Sequence, residues 1–172
     1  VKESAEKIYR EECPLCHSLS REYFRDKKKT FLLCPVCKGL FAGKKYRPDR
    51  ETERLRYTEH NNDVDDPRYQ EFVKPIVEEI MSAFTPESKG LDFGAGTAPV
   101  ISSLLSEKDY DINIYDPFFC NDPLLLNKKY DYIACCEVIE HFHRPDKEFS
   151  LLRRLLKPQG KLYCKTSLFS ES

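Results

Sequence analysis

The chain has 172 residues, 40% of them hydrophobic, 12% aromatic and 33% charged, with a net charge of -1. That length suits one well-packed domain, or a small module joined to a modest one, and the apolar and aromatic content excludes wholesale disorder. No apolar run approaches the roughly 18 residues of a membrane span, and the leading VKESAEKIYREE is too charged for a secretory core, so a cytoplasmic protein with no membrane partner is expected.

The near-neutral total hides an asymmetry. Residues 1–60 carry 15 Lys/Arg against 10 Asp/Glu, and residues 61–172 carry 13 against 19. A basic leading module beside an acidic body fits a nucleic-acid substrate, but the interleaving of Lys/Arg with Glu over 44–59 favours a solvated surface.

Four of the eight cysteines form two matched knuckles, CPLC (Cys13, Cys16) and CPVC (Cys34, Cys37), with 17 residues between them. Two intervening residues let both thiolates of a turn meet one ion, and two such turns complete a tetrahedron, so the pattern reads as a structural zinc site. Tyr23-Phe24 and Thr30-Phe31-Leu32-Leu33, either side of the polar Asp26-Lys27-Lys28-Lys29, read as a β-hairpin that returns the second knuckle to the first. Gly39 stands where a left-handed backbone is expected. Residues 1–43 thus resemble a zinc ribbon; iron-thiolate, redox-dithiol and unliganded cysteines are the alternatives. His17 reads as an exposed turn residue, and Cys135, Cys136 and Cys164 as buried thiols acting as small hydrophobes.

Residues 44–66 have the composition of a charged linker with room for one short helix. Asp66-Pro67 is a helix start, and Phe72, Val73, Ile76, Val77 and Ile80 follow on one face, with Pro75 expected to kink or restart the helix. GLDF over 90–93 reads as a buried strand and 99–108 as a helix, which leaves Gly94-Ala95-Gly96-Thr97-Ala98 as the turn between them. Glycines there admit unusual backbone angles and close approach of a ligand. The next strand, within 110–117, ends in Asp116, 22 residues after Gly94, where an acid meets ribose hydroxyls. Pro99 occupies the sixth place of the glycine fingerprint and removes a helix-start N–H, which disfavours a dinucleotide pyrophosphate.

LDFGAG, with Asp116 downstream, resembles the Asp-x-Gly-x-Gly motif of class I S-adenosylmethionine-dependent methyltransferases. YDYIACCEVIEHF over 130–142 is similar to that family's fourth strand and following loop, in wording close to the ubiquinone-biosynthesis type of O-methyltransferase. Residues 144–167 resemble its next helix, Leu-Lys-Pro-x-Gly turn and fifth strand; in the residues themselves, Pro145 starts the helix, Phe149, Leu152, Leu155 and Leu156 line its buried face, and Lys157-Pro158-Gln159-Gly160 stops it.

The resemblance implies an α/β fold, a Rossmann-like doubly wound methyltransferase sheet over 67–172, preceded by the ribbon. It further implies S-adenosylmethionine as cofactor, held by Asp92, Gly94, Ala95, Gly96 and Asp116, with Cys136 and Glu137 on the pocket wall. Turn and helix-cap roles remain open for Asp92 and Asp116, as does a plain loop role for Glu137.

Methyl transfer from a sulfonium needs positioning first and a base only when the acceptor must lose a proton. Glu137, Glu140, His141 and His143 cluster after the fourth strand, with His141 the preferred base, Glu137 a second candidate, and a capping or packing histidine the alternative. A small-molecule acceptor is expected. RNA gripped by the ribbon and a non-catalytic zinc-ribbon interaction protein are the competing readings. Ala98 and Gln159 replace expected glycines, and the short stretch 117–130 leaves no room for a full third strand. The family's last strands are not present, so an incomplete sheet is expected.

Overall fold

The computed structural model describes residues 10–59 and 63–167. The first nine residues of the charged leading stretch, residues 60–62 of the expected linker, and residues 168–172 lie outside them. The chain builds two sheets. In the first, β1 (Arg10–Glu12), β2 (Leu19–Arg25), β3 (Thr30–Leu33) and β4 (Leu40–Ala42) run antiparallel in that order. The β2–β3 turn forms because Asp26 accepts hydrogen bonds from the backbone N–H groups of Lys28 and Lys29, both 2.6 Å. This places Thr30–Leu33 back along β2, as the hairpin reading expected.

The two knuckles share one backbone design. His17 N–H donates to the Cys13 carbonyl (2.9 Å) and Lys38 N–H to that of Cys34 (3.1 Å); Cys13 and Cys34 N–H in turn donate to Ser18 and Gly39 carbonyls. His17 (φ 61°) and Lys38 (φ 62°) take the left-handed conformation. The expectation for Gly39 is thus corrected: the residue directly after the last cysteine completes the turn in both knuckles, and Gly39 follows it with ordinary geometry.

Residues 44–66 contain a short 3-10 turn and α1 (Arg50–Glu59). Asp49 starts α1 by accepting from Thr52 N–H (2.8 Å). No residue of α1 is buried, so apolar periodicity gave no sign of where it packs.

The second sheet is parallel, with β5 (Gly90–Phe93), β6 (Ile112–Tyr115), β7 (Tyr130–Cys136) and β8 (Leu156–Lys165) in the order β6-β5-β7-β8. α2 (Pro67–Ala83) and α3 (Val100–Ser106) cover one face, where Val73, Ile76, Val77, Ile80, Ile101 and Leu105 meet Tyr132 and Ala134. α4 (Pro145–Leu155) covers the other, packing Leu152 and Leu155 against Leu91, Phe93, Ile133 and Cys135. Strands buried on both faces explain why GLDF reads as a run and not an alternation. The arrangement is a Rossmann-like α/β fold. Because β5 is followed by β6 on one side and β7 on the other, strand order reverses at β5, and a crevice opens beyond its carboxyl end. Among the described residues no helix is long and apolar enough to cross a membrane.

Four expectations need correction. α2 begins at Asp66-Pro67 as read, with Asp66 accepting from Arg68 N–H (2.9 Å), but runs through Pro75 without a break, its apolar face holding it together. Phe72 leaves the buried stripe: it is exposed, stacked on Tyr69 (6.0 Å) with the Lys165 ammonium over its ring (4.0 Å). Cys164 is exposed, because it lies on β8 at the border of the sheet opposite the buried Cys135. Finally, Leu156 begins β8 rather than ending the helix, and Lys157–Gly160 form an irregularity within that strand. There Gln159 adopts φ 70°, a glycine conformation forced on a side chain.

Candidate functional site

The crevice at the switch point is a cleft of about 710 Å³, within the several-hundred to roughly 1,000 Å³ range of small-molecule sites. Its floor is the β5–α3 turn. Gly94 (φ 79°) and Gly96 (φ 65°) hold left-handed conformations that side chains rarely adopt. A Cβ on Gly94 would strike Val138 at 2.7 Å, whereas a Cβ on Gly96 would meet nothing within 4 Å. The two glycines therefore do different work. Gly94 lets the turn press against the loop after β7, and Gly96 leaves open space on a cleft-lining backbone. Ala98, in the place of an expected glycine, turns its methyl into the core beside α2 and so costs the cleft nothing.

Asp116, at the end of β6, closes on this turn. Its Oδ2 accepts from Gly96 N–H (2.9 Å) and its Oδ1 from Phe118 and Phe119 N–H (2.8 and 3.1 Å). The carboxylate is thereby aimed by backbone from both loops. Asp92 lies elsewhere: it is buried beneath the turn, with Oδ2 accepting from Ser102 Oγ (2.9 Å) and N–H (3.3 Å). Burial pushes its carboxyl up to about 6 despite those bonds. Asp92 lines a side pocket of about 20 Å³, which shares Tyr69, Gly94, Ala95 and Cys136 with the main cleft.

The far wall is the loop after β7. Glu137 stands at φ 53°, strained for a non-glycine residue. Partial burial and the neighbouring Glu140 carboxylate raise its carboxyl above the ordinary value. Burial also pushes the Cys136 thiol up to about 12, so it stays protonated and offers no thiolate nucleophile. His141 and His143 both line the cleft.

α1 supplies the remaining wall, and nothing in the sequence pointed to it. Tyr57 donates to Glu53 Oε1 (3.1 Å), meets the Phe118 ring (5.9 Å) and stands edge-on to His141 (5.6 Å). Arg50 lies over the Phe118 ring (5.4 Å) and donates to the Pro117 carbonyl (3.2 Å). Glu53 Oε2 is 3.7 Å from His143 Nε2, and Arg47 donates to the His143 carbonyl (2.8 Å). Thus Asp116, Gly94, Ala95, Gly96, Cys136, Glu137 and His141 converge on one cleft, with Asp92 just beneath it.

The cysteine cluster is a separate centre. The Sγ atoms of Cys13, Cys16, Cys34 and Cys37 all lie within 4.8 Å of one another, with Cys13–Cys37 at 3.6 Å and Cys16–Cys34 at 3.4 Å. Tetrahedral zinc with bonds near 2.3 Å places its sulfurs roughly 3.8 Å apart, so the donor set fits. Hydrogen bonds from Ser18 lower the Cys16 thiol to about 6, whereas burial pushes the Cys37 thiol up to about 12, so the four do not ionise alike without a cation among them. The knuckle also touches the core: His17 Nε2 lies 3.3 Å from Asp146 at the start of α4.

A search of curated proteins finds no match. Residues 66–171, from the start of α2 past the end of β8, match the family described as a methyltransferase domain. With well over half of its length so matched, and with a parallel sheet and switch-point cleft of the kind that family needs, the chain belongs to the methyltransferase-domain family.

Proposed function

We propose that the chain transfers a methyl group from S-adenosylmethionine to a small-molecule acceptor, with zinc holding β1–β4 as a structural module. The observation that carries this reading is the meeting of Gly94–Thr97 and Asp116 at the edge of the main cleft, where the missing Cβ of Gly96 leaves room for a ligand against the backbone. In this reading Asp116 takes the ribose hydroxyls, and Gly94, Ala95 and Gly96 support the amino-acid tail. Asp92, through its side pocket, accepts from the ammonium. Glu137 and Cys136 border the reacting centre. The bound sulfonium supplies the electrophilic methyl group; the protein's own part is to orient the acceptor and exclude water.

Acids dominate among the described residues of the cleft: Asp49, Glu53, Asp116, Glu137 and Glu148 face one guanidinium, Arg50. That balance favours a small acceptor over RNA, although Arg21, Arg25 and Lys27 to Lys29 on the ribbon keep the RNA reading testable. Calorimetric titration with S-adenosylhomocysteine tests the proposal and separates an enzyme from a non-catalytic scaffold. Binding is expected, and Asp116→Ala should weaken it by about 1.5–3 kcal/mol, the scale of a hydrogen bond to a charged group. Because both Asp116 oxygens also accept from backbone N–H groups and so aim the turn, thermal melting of the variant is read beside its affinity to separate a lost ligand contact from a disturbed loop. No affinity in the wild type would sink the proposal.

A further inference from the structure

Which group takes the acceptor's proton depends on how the two cleft histidines are held. His141, the residue the sequence favoured, stands with its ring edge-on to Tyr57 and in the field of the Glu137 carboxylate, but among the described residues no ion-pair contact orients it. His143 sits in a different setting. Its Nε2 faces Glu53 Oε2 at 3.7 Å, from α1, and Arg47 fixes its backbone carbonyl at 2.8 Å. From α4, Glu148 faces it as well, itself anchored by Arg144 N–H (2.9 Å). Asp146 of α4 pairs instead with Arg144 and His17. His143, Glu53 and Glu148 all line the cleft, and the Glu53 side chain is only 17% exposed. A histidine backed by an oriented carboxylate can accept a proton at one nitrogen while the other faces the anion that stabilises the resulting imidazolium.

Resting on the methyltransferase reading above, we propose that His143, oriented by Glu53 of α1, is the general base, and that it serves an uncharged or cationic hydroxyl acceptor. The proton of the acceptor hydroxyl passes to Nδ1 of His143 as an oxygen lone pair forms the new O–CH3 bond. The bound sulfonium would supply the methyl group and keep the electron pair of its C–S bond as a neutral thioether. Nε2–H of the imidazolium then faces Glu53. His143 is the catalytic residue, and Glu53, which acts through it, is a positioning residue. The acceptor's charge class follows from the same wall: an anionic group beside Glu53, Glu148 and Asp49 would meet like charges across a partly dry cleft. The aromatic faces of Phe118, Phe142 and Tyr57 suit a ring-bearing acceptor.

The test uses the full chain and three matched phenols, tyramine (cationic), 4-hydroxybenzyl alcohol (neutral) and 4-hydroxybenzoate (anionic), with release of S-adenosylhomocysteine as the readout. Tyramine and the alcohol should be methylated, and the benzoate should not. His143→Ala should lower kcat by about 10²–10⁴-fold, leave S-adenosylhomocysteine affinity unchanged, and recover part of the loss on addition of free imidazole. His141→Ala should lose far less. Glu53→Gln should reduce kcat with little change in KM, and Glu53→Asp should restore part of it, a split that a merely misfolded helix does not produce. The proposal is overturned if imidazole fails to rescue His143→Ala, if His141→Ala loses as much, if the benzoate is used as well as tyramine, or if none of the three phenols is methylated by protein that binds S-adenosylhomocysteine. Failure of that binding in the wild type instead removes the methyltransferase reading on which this one rests.

Discussion

The two sheets of this chain are held by different physics. The parallel sheet is buried on both faces by α2, α3 and α4, and its stability comes from large side chains with almost no exposure, such as Tyr132, Ile133, Leu91 and Leu152. Each of the aliphatic ones contributes about 1.5–3 kcal/mol by leaving water, while the Tyr132 hydroxyl is buried without a hydrogen-bond partner and offsets part of its ring's gain. The antiparallel sheet has strands of three to seven residues, and its buried side chains are Cys13, Ser20, Thr30, Leu32 and Cys34. Leu19, Tyr23, Phe24, Leu15 and Val36 stay exposed. A module so poor in core needs a cross-link, and four converging thiols provide the place for one.

The largest effect that can break this contrast is loss of one ligand. Structural zinc contributes an apparent folding energy of about 10–16 kcal/mol in small domains. Cys34→Ala should therefore abolish amide protection in the ribbon while α2 to β8 remain cooperative, as read by hydrogen exchange. A ribbon that stays protected in metal-free protein would mean that packing alone suffices there. Leu152→Ala should do the reverse: about 2–5 kcal/mol lost from the parallel core, with bound zinc unchanged by metal analysis. Simultaneous loss of metal would show that the two units unfold as one.

A smaller effect sharpens the picture of the core itself. Burial raises the Asp92 carboxyl in the fold to about 6 from an ordinary 3.8. For an acid raised in this way, the stability is fully present below the unfolded value and is lost as pH rises through the folded one. At about 1.4 kcal/mol per unit, ionised Asp92 costs the apo protein on the order of 3 kcal/mol above pH 6. Asp92→Asn should thus stabilise the unliganded protein by about 1–3 kcal/mol at pH 8, some of the gain being offset by a weaker bond to Ser102, and by about half as much at pH 5. Denaturant titrations at the two values check this. Equal gains at both would place the carboxylate in an environment that already accommodates its charge.

Much of this architecture was legible in the residues. Spacing alone paired the knuckles, located the hairpin and placed Asp66-Pro67 at the head of α2. The glycine turn and Asp116 were legible because a tight turn and a strand-end acid leave fixed marks. Other features left none. α1 buries no residue, so Glu53 and Tyr57 carry no periodic signal, and their part in the cleft depends on where a charged segment folds back. The approach of Glu53 to His143 left no mark for the same reason, since the two lie 90 residues apart in the chain. Phe72 and Cys164 looked like core because hydropathy does not report which face of a helix, or which edge of a sheet, lacks a neighbour.

The contact between Gly94 and Val138 has a consequence for anyone redesigning this cleft. A side chain at 94 would collide with Val138 and displace the segment that carries both histidines. The glycine turn and the histidine-bearing loop are thus pressed together there, and reshaping one side of the cleft without disturbing the other will have to leave that close approach intact.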